Sequence, residues 1–383
     1  MSSQWKQVAL GEIARPVTRQ VEVIAGQPYR TIGVRWWGEG AYERSTIDGS
    51  QTAARTLSIV REGDLIINKI WVRHGSAAIA SSAVDGCVAS GEFPTFNLDL
   101  SGVLSRWIHW QTRTPSFWEK CDALSRGTSG KNRIKPQLFL TIRIPLPPLD
   151  EQHRVVSRIE EFSSKVRQVT RLHEETKTDQ ARMLLAAYGK AIQGAEWLPM
   201  EDVVPLVRRA VQVEPLGEYH ELGIRSFGKG TFHKPSVTGA TLGSKRLFRI
   251  EPGDLLFNIV FAWEGAVAVA QPNDVGRVGS HRFLTCVPKD GQVLTSFIAF
   301  HFLTDRGLED LGIASPGGAG RNRTLGIESL AKIKVPVPAP EKQRWFGSLL
   351  EKAEGANRLR TEVAIELDAL MPSILSKAFR GDL

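Results

Sequence analysis

Two stretches carry residue types suited to a polyanion. The first reads Ser125-Arg126-Gly-Thr-Ser129-Gly-Lys131-Asn132-Arg133-Ile-Lys135, and the second Ser315-Pro-Gly-Gly-Ala-Gly-Arg321-Asn322-Arg323-Thr324. Glycines allow close backbone approach and leave N–H groups open to phosphate. Arg and Lys supply phosphate contacts, while Asn pairs with adenine and Arg with guanine. The competing reading is a glycine turn that shapes the start of the helix following each stretch.

Catalytic spacing is missing around these residues. Leu146-Pro147-Pro148-Leu149 lacks the Asn/Asp and the aromatic that an amino-methyltransferase needs to hold its target amino group. Phe227-Gly-Lys-Gly230 has its glycines misplaced for a methyl-donor loop. Gly127 to Asn132 lacks the Ser/Thr after the lysine that a phosphate-binding loop requires. Glu175-Thr-Lys177 has a nuclease-like spacing but falls within a helical, solvated face. The eight histidines are scattered, and Cys87, Cys121 and Cys286 are too far apart for a zinc site and odd in number for a disulfide framework. These residues therefore read as a binding protein without catalytic, cofactor or metal residues, in a reducing compartment.

The elements that position the two stretches come in duplicate. Sliding the chain by 190 residues places Tyr29…Gly33…Arg35 on Tyr219…Gly223…Arg225 and Gly63-Asp64-Leu65 on Gly253-Asp254-Leu255. Over windows 29–40, 61–80 and 126–133, 16 of 40 positions are identical, where about 2 are expected by chance, so the register is a duplication. After each copy comes a proline run, Ile144-Pro-Leu-Pro-Pro-Leu-Asp-Glu-Gln152 and Val335-Pro-Val-Pro-Ala-Pro-Glu-Lys-Gln343. Proline starts helices well, and acids suit a first turn. Long helices are expected next. Val155, Ile159, Phe162, Val166 and Val169 form a coiled-coil seam over 151–188. Leu349, Val363, Leu367, Leu370 and Ile374 do so in the second, which Gly347 and Gly355 weaken and Pro372 bends. Short apolar runs at 65–70, 77–80 and 266–270 predict strands, and 104–111 and 295–303 predict helices. The fold class is α/β (α+β): two duplicated globular domains (1–148 and 195–339) separated by two long helices (149–194 and 340–383), packed as an antiparallel coiled coil with pseudo-two-fold symmetry.

The domain–helix–domain–helix order, the wording Pro145-Leu-Pro-Pro-Leu-Asp-Glu-Gln152, the repeated Gly-Asp-Leu and the Gly-rich basic stretches resemble the specificity subunit of type I restriction–modification systems, across essentially the whole chain. The resemblance implies a non-catalytic subunit of a phage-defence complex. Each globular domain would be a target recognition domain reading half of a bipartite, asymmetric double-stranded DNA site. The helices would set the spacing and dock two methyltransferase subunits, with motor-nuclease restriction subunits joining. S-adenosylmethionine, ATP and magnesium would belong to those partners. The alternative is a DNA-binding scaffold or regulatory protein not associated with a methyltransferase.

On that resemblance, shared residues hold the backbone and divergent ones read bases. Arg35 and Arg225 are shared. Trp36-Trp37 becomes Ser226-Phe227, Lys69, Arg73 and His74 become Ile259, Trp263 and Glu264, and Glu92 becomes Arg282. Candidate readers are Arg73, His74, Lys229, Lys245, Arg246 and Arg282, beside Arg126, Ser129, Lys131, Asn132, Arg133, Lys135, Arg321, Asn322 and Arg323 of the two stretches. Plain surface roles compete for each. Gly-Asp-Leu reads as turn-and-strand structure. Net charge is +8 over 383 residues, with +6 in 1–148 and +1 in 195–339. The chain has no run of about 18 apolar residues and no signal-like region over Met1 to Leu10, so a cytoplasmic protein without a membrane span is expected.

Overall fold

The computed structural model describes residues 5–126, 132–289, 291–317 and 323–383. The chain divides into two compact units, one of residues 1–173 with 361–383, the other of residues 174–360. Two long helices, α1 (Leu149–Ala191) and α2 (Pro340–Ala378), each contribute one part to each unit.

In the first unit a four-stranded antiparallel sheet runs in the order Ala14–Val17, Thr95–Leu98, Leu65–Ile67, Ala77–Ile79. A five-stranded mixed sheet runs Gln20–Glu22, Thr56–Ile59, Val88–Ala89, Pro28–Val34, Ala41–Asp48. Strand Leu65–Ile67 is buried on both faces, which explains why it reads as continuous apolar sequence rather than alternation. Leu65 and Ile67 face the main core with Trp107 and Phe117, while Ile66 faces a second core with Ile32 and Val60. Helices Ser105–Gln111 and Pro115–Leu124 cover the four-stranded sheet.

The second unit repeats this topology. Its four-stranded sheet follows the order Leu206–Val207, Phe283–Cys286, Leu255–Asn258, Val267–Val269. Its five-stranded sheet follows Ala210–Val211, Leu247–Arg249, Val278–Ser280, Glu218–Ile224, Thr231–Thr238. Helices Thr295–His301 and Asp305–Ile313 stand where the first unit has its pair. The duplication in sequence is a duplication of fold.

Repeated residues hold corresponding places. Asp64 and Asp254 are buried; each accepts two bonds from one guanidinium, Arg19 (2.6 and 3.2 Å) and Arg209 (2.6 and 3.1 Å). Each also accepts a backbone N–H three residues earlier, from Arg61 and Glu251. Gly-Asp-Leu is thus a turn held by a charge pair. Arg209 is kept above the ordinary arginine range chiefly by its bond to Asp254.

Each long helix is tied to its globular part by one glutamine. Gln152 is buried; its Nε2 donates to the carbonyls of Gly102 (3.1 Å) and Pro147 (2.8 Å), and its Oε1 accepts from the Leu104 N–H (2.9 Å). Gln343 does the same with Gln292 (3.0 Å), Pro338 (2.8 Å) and Leu294 (2.8 Å). The helices pack antiparallel within each unit. In the second, Ala187 and Tyr188 of α1 share a core with Phe346 of α2, and Gln180 donates to the Ala353 carbonyl. In the first, Val155, Val156 and Ile159 pack with Leu375 and Ala378.

The seam differs from the heptad expectation. Val155 and Ile159 are buried, and Phe162, Val166, Leu349, Leu367 and Ile374 are half-buried, but Val169, Val363 and Leu370 are exposed. At the end of α2 the inward positions are Met371, Leu375 and Ala378, one residue on from Leu370 and Ile374. A straight helix drifts by about 20° per heptad. Here the helix ends meet globular cores whose position, rather than a strict heptad, selects the buried stripe. Pro372 lies within α2 without ending it.

His301, buried in the second unit, bonds Tyr188 Oη (2.7 Å) and stacks edge-on to Trp197. Burial, with Arg306 nearby, lowers its pKa to about 4. The unfolded chain titrates near 6.5. Between those values only the unfolded chain is protonated, so stability falls as pH drops from about 6.5 to 4, by up to about 3 kcal/mol for this group. Replacing His301→Gln, the residue at the matching position in the first unit (Gln111), should remove that share of the acid loss, measured as urea midpoints at pH 7.5 and 4.5. Gln343→Ala leaves one N–H and two carbonyls buried without their partner and should cost about 3 kcal/mol, read by urea unfolding.

Candidate nucleic-acid interface

Both units carry the same loop scaffold at one end of the four-stranded sheet. Strand Leu65–Ile67 runs into a turn opened by Asn68, whose Oδ1 accepts the N–H groups of Ile70 (2.9 Å) and Trp71 (3.2 Å). The turn Val72–His74 ends at Gly75, whose φ is +79°. Asn258 and Gly265 hold the second copy of this turn. A second loop leans on the first: Gly38 N–H donates to the Gly75 carbonyl, and Gly228 N–H to the Gly265 carbonyl, both at 2.9 Å. Its neck is closed by Arg35 N–H to Gly40 O and Arg225 N–H to Gly230 O, again 2.9 Å.

On this shared scaffold the side chains diverge. In the first unit Trp36, Trp37, Trp71, His74 and Trp118 form one aromatic cluster. Trp36 lies 4.8 Å from Trp71 and 5.7 Å from His74, and Trp37 lies 5.4 Å from Trp118. Trp36 and Trp37 are exposed. In the second unit Phe227 is exposed with Lys229 Nζ 5.8 Å from its ring, while Ser226 donates to Glu264 (3.1 Å).

The Gly-rich stretches adjoin these loops. An antiparallel bridge joins Arg126 to Arg133, and another joins Gly317 to Arg323. Each is anchored one or two residues on, by Ile134 N–H to Lys69 O and Leu325 N–H to Ile259 O, both 2.9 Å. The candidates Ser129, Lys131, Arg321 and Asn322 lie outside the described residues. Beside the anchors the charges are exchanged. In the first unit Glu92 pairs with Arg133 (3.2 Å) and Lys69 (3.7 Å). In the second, Arg282 occupies Glu92's place, its carbonyl accepting from Ile259 N–H as Glu92's does from Lys69. Arg323 there lies over the Trp263 ring at 5.2 Å and has no carboxylate partner among the described residues.

The other candidates divide by availability. Arg126, Arg133, Lys135, Lys229, Arg246 and Arg282 are exposed, and Asn132 is half-buried. Arg35 is exposed with its guanidinium over Tyr42, and Arg225 over Phe232 while donating to Thr231 O. Arg73 is largely enclosed, 18 % of its side chain exposed, and pairs with Asp122 at 3.8 Å. Lys245 is held by Glu221 at 2.5 Å. The loop candidates therefore come together within each unit, whereas Lys245 is engaged on the five-stranded sheet.

Sequence reasoning left out the aromatic residues as site candidates. Their signal was the repeat itself: an aromatic precedes the glycine in both Trp37-Gly38 and Phe227-Gly228. Arg113 was also passed over; a Cβ on Gly38 would strike its side chain, which puts it beside the Trp37 loop. Among the described residues no group of three or more His, Cys, Asp or Glu could hold a metal, and no helix is long and apolar enough to cross a membrane. Burial raises the pKa of Cys121 and pushes Cys286 up to about 12.

No family model matches the chain. It is 22% identical over 310 residues to the type I restriction enzyme EcoKI specificity subunit of Escherichia coli (strain K12), which covers 73% of this chain and 66% of that protein. The chain thus spans just under two thirds of that relative's length. Its fold matches the HsdS subunit from Thermoanaerobacter tengcongensis, with TM-score 0.59, 20% identity and 99% and 97% of the two chains covered. It also matches a chain solved to explain complex assembly and conformational transition of the type I R-M system, with TM-score 0.70, 22% identity and 99% and 98% covered. The resemblance to type I specificity subunits holds in sequence over nearly three quarters of the chain, and in fold over almost all of it.

Proposed function

We propose that this chain is the non-catalytic, DNA-reading specificity subunit of a type I restriction–modification complex. Residues 1–148 and 195–339 are its two target recognition domains, each reading one half of a bipartite site. Residues 149–194 and 340–383 are the helices that set the spacing and dock two methyltransferase subunits, which restriction subunits then join in the cytoplasm. S-adenosylmethionine, ATP and magnesium chemistry belongs to those partners. The observation that carries this reading is a scaffold repeated at its bonding residues with its loop chemistry changed. Asp64 and Asp254, Asn68 and Asn258, and Gln152 and Gln343 keep their bonds, while Glu92 and Arg282, or Trp36-Trp37 and Ser226-Phe227, do not match. Two copies reading different half-sites need just that division.

The charge exchange fits the same reading. Bulk charge barely favours DNA in the second domain, but Arg282 and Arg323 there have no carboxylate partner among the described residues, where the first domain has Glu92 between two cations. Arg282→Glu puts the first unit's carboxylate at that place. It should weaken duplex binding several-fold at 0.1 M salt and make the slope of log K against log salt shallower by about 1 to 2, read by fluorescence anisotropy.

Methylome sequencing tests the function itself. Exchanging this gene for another in cells with active partner subunits should change the methylated motif; an unchanged motif overturns the reading. Absence of a methyltransferase on co-purification favours the scaffold alternative. In the same assay, insertions within 176–180 should lengthen the spacer and leave both half-sites intact.

A further inference from the structure

Trp37 and Phe227 are the two non-glycine residues with positive φ among the described residues, at +57° and +62°. They occupy the same position of the repeat. Gly38 and Gly228 follow them with φ of +72° and +63°. In the first unit Glu39 N–H closes the turn onto Trp36 O at 3.2 Å. Consecutive positive φ values of this kind favour Gly, Asn or Asp at both central positions, because a Cβ crowds the backbone in the left-handed region. Both copies instead place a large aromatic at the first.

Neither ring is used to fill a core. Trp37 is 53% exposed and Phe227 73%. Strain of this kind persists where surroundings hold it, and the surroundings here are the paired loops: Gly38 N–H on Gly75 O, Phe227 N–H on Glu264 O (2.8 Å) and Gly228 N–H on Gly265 O. A cation stands beside each loop. The Arg113 side chain packs against Gly38, next to Trp37, and Lys229 Nζ lies 5.8 Å from the Phe227 ring. An exposed π-face fixed on a rigid turn beside a cation suits a stacked polyanion, whose phosphate meets the cation while a base meets the ring.

We propose that Trp37 and Phe227 are base-stacking wedges, each entering a base step opened within the half-site bound by its own unit. This rests on the DNA-reading function above. The shared backbone geometry sets where the wedge enters, and the change from indole to phenyl adjusts the fit to a different step.

The test uses the full chain in complex with its methyltransferase partner. Methylome sequencing first gives the two half-sites. Duplexes then carry 2-aminopurine at each position of the half-sites in turn, excluding the methylated base, whose displacement has a separate cause. Wild type should raise fluorescence at one step in each half. Phe227→Gly should abolish the rise in one half only, Trp37→Gly in the other, each with about tenfold weaker binding. Glycine relieves the backbone, so Phe227→Gly should leave the melting temperature unchanged or raised. Should Trp37→Gly lose fold along with its contacts to Trp118 and His74, Phe227→Gly and its rescue by Phe227→Trp decide the matter. No wild-type motif overturns the underlying function. A motif with fluorescence unchanged in Phe227→Gly overturns the wedge alone, as does a defect confined to methyltransferase association.

Discussion

A neutral amide buried at the start of each long helix fixes where that helix goes. Gln152 and Gln343 each reach back to a carbonyl of the proline run and forward to a carbonyl and an N–H of the globular part. Only a glutamine or asparagine offers two donors and an acceptor without charge, and only glutamine has this reach. A glutamate would face two carbonyl oxygens with a buried charge, and an apolar residue would leave three backbone groups without partners, each costing about 1–3 kcal/mol. Proline on the preceding residues restricts the backbone, so little chain entropy is left to lose when the clasp closes. The helix start is thereby made rigid on its own unit, and the apolar stripe of the helix follows from it.

That constraint explains what was legible beforehand. The helix bounds, the duplicated topology and the structural role of Gly-Asp-Leu follow from local signals: proline, glycine and an apolar strand between turns. The seam was legible only in part. Val155 and Ile159 are buried because they lie within two turns of Gln152, where the clasp sets the helix face. Farther along, the heptad count predicts Leu370 and the structure buries Leu375 and Ala378. Periodicity gives the spacing of a stripe but not its phase against a globular core, and phase depends on contacts distant in sequence.

The candidate interface was hidden for the same reason. Trp36, Trp71 and Trp118 are dozens of residues apart, and two loops and a helix bring them together through Gly38 and Gly75. Their glycines were visible as repeats; what the glycines bring into contact was not. Arg73 shows the converse. As a sequence it is one more exposed cation on a basic loop, but packing encloses it beside Asp122. A cation's value to a polyanion depends on whether a carboxylate already holds it, and that is a property of the fold.

Duplication makes the division of labour physical. After a chain is copied, substitutions in buried, hydrogen-bonded residues are costly in both copies, so Asp64 and Asp254 or Gln152 and Gln343 stay alike. Exposed loop residues on the same backbone change at small cost to stability. The strained aromatic is the instructive exception, since glycine would be the easier residue at Trp37 and at Phe227 on backbone grounds alone. A residue large and aromatic in both copies against its local backbone preference, and exposed in both, while its neighbours Trp36 and Ser226 differ, fits a role at the surface. The same logic separates Arg282 from Glu92: neither closes a buried network, so a full reversal of charge leaves the scaffold intact and changes only what the surface attracts.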